Sequence, residues 1–301
     1  MRNIGATKGD GYPESYTGQI PGTRCPSAKV VFSPLPRTDM VSSRNDAVRL
    51  PISLCVIAQN EADRIVACLR AADFCDDRVV VDGGSTDNTV ALAEAEGARV
   101  IHRPFDGFRS QKDFAVAAAR HDWVLCLDAD ECADEGLRDA IARQLAEGVG
   151  DTAAYRIVRR NRFLGRVMKY GNAGSDRVVR LFDRRLAGWH GQREIHESVV
   201  AKGPVRPIGG SLDHDPYRSL SAMLAKQERY AHLMAEEAFA RNKRTSLAQI
   251  LLSPAFRFLK GYVFRAGFLD GWRGLVYALL RVEYVRRKYL KQYLLQKGFR
   301  P

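Results

Sequence analysis

No run of about 20 apolar residues occurs in the 301-residue chain, which excludes an ordinary membrane-spanning helix. The opening segment, MRNIGATKGDGYPESYTGQIPG, has no apolar core and does not read as a secretory signal. None of the six cysteines (Cys25, Cys55, Cys68, Cys75, Cys126, Cys132) forms a C-x-x-C pair, and Cys55 and Cys126 sit inside apolar runs. They read as reduced, mostly buried thiols of a cytosolic protein. There is no internal repeat and no low-complexity tract. Acidic residues are nearly missing from the end of the chain: residues 241–301 hold 14 Lys and Arg against Asp270 and Glu283.

What is present suits a folded protein. Hydrophobic residues make up 46% and charged residues 27%, with 25 Gly and 12 Pro, so a mainly disordered or collagen-like chain is excluded. The net charge of +12 is unevenly spread: residues 51–150 carry 10 basic and 19 acidic side chains, whereas the tail is strongly basic. A uniformly basic chain would suggest nucleic acid. Here the acidic segment would repel a phosphate backbone, so nucleic acid is not expected as a partner. The asymmetry suggests a catalytic domain with a surface-binding appendix.

Residues 1–50, rich in Gly, Pro, Ser and Thr, read as a flexible leader. Order is expected from Pro51. Apolar runs at 52–58, 78–82, 98–101 and 123–127 read as strands. They alternate with helical spacing over 61–72, a helix capped by Ser85 or Thr86 and ending near Gly97, and a helix over 110–119. That alternation predicts an α/β fold, a parallel sheet with helices on both faces, within a domain at 51–215. Strands are expected at 153–159 and 177–182 in a more irregular stretch. From 216 to 301 the chain reads as a helical, basic region.

Open parallel sheets bind ligands at the carboxyl ends of their strands. Three polar clusters fall there: Gln59-Asn60-Glu61, Asp82 with Gly83-Gly84-Ser85, and Asp128-Ala129-Asp130. A dinucleotide site would need G-x-G-x-x-G after the first strand, where this chain has Ala-Gln-Asn-Glu. A nucleotidyltransferase would need a Gly-rich basic loop there, also missing. Two carboxylates one residue apart can share a divalent cation, and oxygen ligands suit Mg²⁺ or Mn²⁺ with a diphosphate completing the shell.

The stretches SLCVIAQNEADRI, RVVVDGGSTDNTVALAEAEGARV, GFRSQKDFAVAAA and WVLCLDADE, in this order, resemble family 2 glycosyltransferases of the GT-A fold, and most closely the bacterial lipopolysaccharide core-type branch. The resemblance implies transfer of a hexose from a nucleotide sugar, UDP-linked, to a glycan or glycolipid acceptor, with inversion at the anomeric carbon. It places Ala58, Gln59, Asn60 and Glu61 along the nucleotide pocket and Asp82 on the uracil N3–H. Gln111 and Lys112 would reach the base or diphosphate. Asp128 would meet the ribose or metal, Asp130 the metal, and His214 would be a third metal ligand. The general base would be Glu197, in REIHESV, with Asp176 in reserve; the His-Glu pair stands where many relatives carry Glu-Asp. A non-catalytic glycan-binding relative would lose the metal site, and the intact Asp128-x-Asp130 argues against it.

The tail adds a membrane expectation. At 100° per residue, Leu275, Leu279, Val282, Tyr289 and Tyr293 form one helical stripe. Arg273, Arg281, Arg287, Lys288 and Lys291 fall opposite, and Arg286 breaks the stripe. This is the pattern of a helix lying in an anionic membrane interface. It would hold a cytoplasmic enzyme peripherally on the inner face of the cytoplasmic membrane, beside a lipid-linked acceptor.

Overall fold

The computed structural model describes residues 49–190 and 198–299. The expected leader lies outside the described residues except for Arg49 and Leu50, and Leu50 already opens the first strand. The first half alternates β1 (Leu50–Ala58), α1 (Ile65–Ala71), β2 (Cys75–Asp82), α2 (Thr89–Ala95), β3 (Arg99–His102), α3 (Phe108–Ala117) and β4 (Trp123–Asp128). Then come β5 (Glu131–Ala133), α4 (Glu135–Glu147), β6 (Ala154–Phe163), β7 (Arg166–Val167), β8 (Asp176–Asp183), β9 (Ala187–His190), β10 (Ser198–Ala201) and β11 (Val205–His214). The chain finishes with α5 (Leu220–Ala240), α6 (Leu247–Phe258), a π-helical turn (Leu259–Phe264), a 3-10 turn (Gly267–Asp270) and α7 (Gly271–Gln296).

The main sheet runs β3-β2-β1-β4-β8-β6-β11-β5, with β7 paired to β6 at the side and β9-β10 forming a separate hairpin. β1, β2, β3 and β4 are mutually parallel; β8 and β5 run against the other strands of the order. Ile52 to Val56 are buried without alternation because both faces of β1 are covered. On one face Ile52, Leu54 and Val56 pack with Ile65 and Leu69 of α1 and with Leu137 and Ile141 of α4. On the other, Cys55, Val79 and Val124 pack with Ala115 of α3 and with Trp189 of β9. Cys55, Cys68, Cys75 and Cys126 are buried free thiols, and burial raises Cys68 and Cys75 above the usual thiol range.

Three local expectations change. The helix expected from Glu61 begins only at Ile65, because side chains of the β2–α2 loop and of Thr89, which opens α2, take the preceding N–H groups. Asn60 N–H donates to Ser85 Oγ at 2.9 Å, Glu61 N–H to Thr89 Oγ1 at 2.8 Å and Ala62 N–H to Asp87 Oδ2 at 3.2 Å. For the same reason Ser85 and Thr86 do not cap α2; Asn88 holds that position with no side-chain cap bond. β11 also escapes the strand signals because Pro207 and Gly209-Gly210 interrupt it. Its register with β6 shifts between Pro207 and Ser211. Gly210 there has φ +78°, and a Cβ would collide with the backbone of Leu137, so glycine lets α4 lie against the strand.

The third change concerns α7. Its expected cationic face is not free: Arg287 pairs with Glu228 of α5 at 3.0 Å, and Lys291 with the same carboxylate at 2.8 Å. On the expected apolar stripe, Leu275 and Leu279 are exposed but Val282, Tyr289 and Tyr293 are half-buried. α5, which lies alongside α7 and runs in the same direction, from Met223 beside Tyr277 to Lys243 beside Gln292, takes up these cations. The helical region is tied to the sheet by Met223 and Tyr277, which pack with Phe163 and Met168. Asp270, buried, accepts the N–H groups of Lys169 and Tyr170 at 3.1 and 2.9 Å. Among the described residues no helix is long and apolar enough to cross a membrane.

Candidate active site

The carboxyl ends of β1, β2 and β4 lie side by side, since Ala58 pairs with Asp82 and Ile57 with Asp128. The β1 and β2 loops are stitched together. Gln59 Nε2 donates to the Gly83 carbonyl at 3.2 Å, and Thr86 N–H to Asn60 Oδ1 at 2.8 Å. Asn60 adopts φ +57°, a conformation asparagine tolerates better than most residues. Ala58, Gln59, Asn60, Glu61 and Asp82 therefore form one ledge. Asp82 is nearly buried, and its carboxylate accepts the N–H groups of Gly84 and Ser85 at 3.1 Å and faces His102 Nδ1 at 3.0 Å. Burial works to raise its pKa, but those hydrogen bonds prevail and hold it below the usual carboxylate range. In this structure Asp82 shapes its own turn.

Glu61 meets Arg218, which sequence reasoning did not single out. Arg218 Nη2 donates to Glu61 Oε2 and to the Asn60 carbonyl, both at 2.6 Å, and its Nε donates to Asp63 at 2.8 Å. The residues just past β11 are thus clamped to the β1 loop. Burial raises Glu61 above its ordinary pKa, with Arg218 and Arg64 opposing.

Gln111 and Lys112 part company. Gln111 is buried, and its Nε2 donates to the carbonyls of Arg103 and Pro104 at 2.9 and 3.1 Å, holding the β3–α3 loop; among the described residues its Oε1 has no hydrogen-bond partner. Lys112 Nζ lies 3.0 Å from Asp128 Oδ1 and 4.5 Å from the Trp189 ring centre. Arg180 donates to the other oxygen, Asp128 Oδ2, at 2.6 Å, and clasps Glu131 through Nε at 2.9 Å and Nη2 at 2.8 Å. Burial would raise Asp128, yet Arg180 and Lys112 outweigh it and hold the carboxyl far below the usual range. Both Asp128 oxygens are thereby engaged by cations. Glu131 is wholly buried, and it also accepts from Arg159 at 3.0 Å. Arg159 in turn grips Asp176 through two bonds at 3.0 and 2.7 Å, so the reserve base is held in a bidentate ion pair.

Asp130 is different. Among the described residues its Oδ1 is buried with no hydrogen-bond partner, and its Oδ2 lies 3.6 Å from His214 Nε2 and 3.8 Å from Arg64 Nη1. The histidine tautomer follows from its neighbours. Asn161 Nδ2 donates to the Gly174 carbonyl at 2.9 Å, so its Oδ1 faces His214 Nδ1 at 2.7 Å as an acceptor. In the neutral ring Nδ1 therefore carries the proton, which leaves the lone pair on Nε2, the nitrogen that faces Asp130. A carboxylate oxygen without a donor and an imidazole lone pair beside it fit a divalent cation. Among the described residues no three His, Cys, Asp or Glu side chains form a full cage. Mg²⁺ and Mn²⁺ accept such partial sites when substrate phosphates supply further oxygens.

Glu197 lies outside the described residues, between β9 and β10. Among the residues the sequence reading missed, Arg180 did leave a signal: it is a lone cation in the otherwise apolar run Val178–Phe182, and a buried charge needs partners. Asn161 and Arg218 left none, because each acts across more than 50 residues of chain.

The strand order and the acidic ends of β1, β2 and β4 define the class: an α/β protein whose ligand face lies at the carboxyl edge of its parallel strands. Residues 53–194 match the family described as Glycosyl transferase family 2. The chain is 30% identical over 239 residues to an uncharacterized glycosyltransferase of Rickettsia typhi, covering 76% of this chain and 82% of that protein. It is 29% identical over 246 residues to the lipopolysaccharide core biosynthesis glycosyltransferase LpsC of Rhizobium meliloti, covering 77% and 90%. Among solved structures, glucosyl-3-phosphoglycerate synthase from Mycobacterium tuberculosis, in complex with Mn²⁺, UDP and glucosyl-3-phosphoglycerate, aligns at 26% identity with a TM-score of 0.31. That alignment covers 36% of this chain and 44% of that one, so the chain spans less than half the length of this solved relative. The chain belongs to glycosyltransferase family 2 and is a glycosyltransferase, with the GT-A type of fold that its motifs implied.

Proposed function

We propose that the enzyme transfers a hexose, with inversion, from a UDP-linked sugar to a lipopolysaccharide-core or related cell-envelope glycan, with Mg²⁺ or Mn²⁺ at Asp130 and His214. The observation that carries the reading is the Asp130–His214 pair, beside the loop that ends β1: among the described residues Asp130 Oδ1 is buried without a hydrogen-bond partner, while Oδ2 lies 3.6 Å from His214 Nε2. The similarity to LpsC supports the choice of acceptor class. A cation bound there supplies charge neutralisation for the leaving nucleoside diphosphate.

The chain's own residues do the rest. Ala58 to Glu61 and Asp82 form the nucleotide ledge, held in place by Ser85, Thr86 and Arg218. Lys112 and Arg180 hold Asp128 ionised, and Asp128 can accept hydrogen bonds from the ribose without titrating. Glu197 removes the proton of the attacking hydroxyl. Asp176 shapes the acceptor side through Arg159. A membrane-borne glycolipid acceptor would place the enzyme peripherally on the inner leaflet.

The test is donor turnover with UDP-hexoses in Mn²⁺ and in chelator, alongside Asp130→Ala. We expect chelator and variant to lose activity together while the variant keeps its melting temperature within a few degrees. Full turnover in chelator, or by Asp130→Ala at saturating donor, would remove the metal from the reading.

A further inference from the structure

α6 and the turns after it carry apolar side chains outward as well as inward. Ile250 and Pro254 face the protein. Leu251 is 73% exposed, Phe256 62%, Phe264 75% and Trp272 57%. A helix that is apolar all round belongs inside a protein or in lipid, and contiguous exposed apolar surface of this kind marks an interaction site. The π-helical turn and the 3-10 turn that follow add further exposed apolar side chains, Val263, Phe268 and Leu269.

The charge around this surface has one sign. Between α6 and α7 lies a groove of about 290 Å³ whose walls include Leu252, Phe256 and Tyr289 together with Arg257, Lys260 and Lys288. The two acidic residues of the region are both occupied. Asp270 is buried beneath the N–H groups of Lys169 and Tyr170. Glu283 is taken by Arg286 at 2.7 Å and flanked by Arg287 at 3.7 Å. On α5, Glu228 is taken by Arg287 and Lys291, and Glu236 and Glu237 pair with His232 and Arg241. Arg273 stacks on Trp272, its guanidinium 4.5 Å from the ring centre, an amphipathic pair suited to a headgroup layer.

We infer that this face, rather than the stripe along α7 alone, inserts into an anionic bilayer, with the phosphate of one acidic lipid headgroup in the groove between Arg257, Lys260 and Lys288. Apolar side chains enter the acyl boundary while the cations meet the headgroups. A second copy of the chain is a poor occupant, because meeting through this face would set the same cations against each other. The choice of a bilayer rests on the reading of the acceptor as a membrane glycolipid.

The experiment is co-sedimentation of the full chain with vesicles of phosphatidylcholine alone or mixed with phosphatidylglycerol, paralleled by UDP binding in Mn²⁺. Wild type should bind the anionic vesicles and release them as salt screens the attraction. Lys260→Gln with Lys288→Gln should weaken that binding about 25-fold, roughly fivefold per cation. Phe256→Ser with Phe264→Ser should abolish it, and both variants should bind UDP as wild type does. Wild type left in the supernatant at low salt, unchanged binding by the lysine variant, or a solution dimer that Phe256→Ser with Phe264→Ser dissociates would overturn the inference. Vesicle binding without any UDP binding would uphold this surface and instead sink the transferase chemistry proposed above.

Discussion

Replacing Asn161 by leucine should cost metal affinity without touching any proposed ligand. The Asn161 Oδ1 contact to His214 Nδ1, at 2.7 Å, is what fixes the Nε2 lone pair toward Asp130. Loss of such an orienting partner typically costs 10–100-fold in metal affinity, about 1.4–2.7 kcal/mol. The substitution also removes the Nδ2 donor to the Gly174 carbonyl, at 2.9 Å. An unsatisfied buried carbonyl costs about 1–3 kcal/mol, which in a domain of this size lowers the melting temperature by roughly 2–12 °C. Asn161→Asp separates the two effects. A carboxylate still accepts from Nδ1 and makes the imidazole more basic, so Mn²⁺ affinity should hold or rise, but it donates nothing to Gly174. Both variants should therefore melt early, and only leucine should bind Mn²⁺ weakly. Titration of Mn²⁺ by electron paramagnetic resonance at saturating UDP reads the affinity, and calorimetric melting reads the stability. Equal Mn²⁺ affinity in wild type and both variants would refute the histidine's orientation as a metal ligand.

Two further outcomes follow from the buried charges. Arg180→Met leaves Glu131 to Arg159 and Asp128 to Lys112, and breaking one partner out of a buried ion cluster costs about 3–5 kcal/mol; a melting temperature within about 2 °C of wild type would show that the cluster is not what fixes the end of β4. At the opposite end of β1, Asp77 is buried against Ser53, Arg99 and the Arg120 N–H. Burial alone would raise its pKa, but those partners prevail and lower it. A carboxylate with a depressed folded pKa stabilises fully above its unfolded value, about 3.9, and loses that contribution as pH falls through the folded value. Asp77→Asn should therefore melt earlier than wild type at neutral pH, with the gap narrowing below about pH 4. A gap that stayed constant from pH 7 to pH 3 would reject this carboxylate as the source.

The amino-acid sequence by itself determined the parallel half of the sheet and the positions of its ligand-bearing loops. Those strands are local, continuous apolar runs, and their alternation with helices leaves one chirality and one edge for polar ends. Hence Asp82, Asp128 and Asp130 could be placed at strand termini from spacing alone. Tertiary structure decided what surrounds those carboxylates. Asp128 and Asp130 are two residues apart, yet Lys112 and Arg180 hold the first, while the second faces His214. The difference arises from side chains on α3, β8 and β11, brought together by strand pairings that no local pattern encodes. β11 itself was hidden by Pro207 and Gly210, which a strand tolerates only because its register shifts there and α4 packs against the glycine. The helical tail divides in the same way. Its basic, amphipathic character is legible in composition, but which face is free depends on whether a helix has a partner. α7 has α5 against its cations, so the exposed apolar surface passes mainly to α6 and its turns.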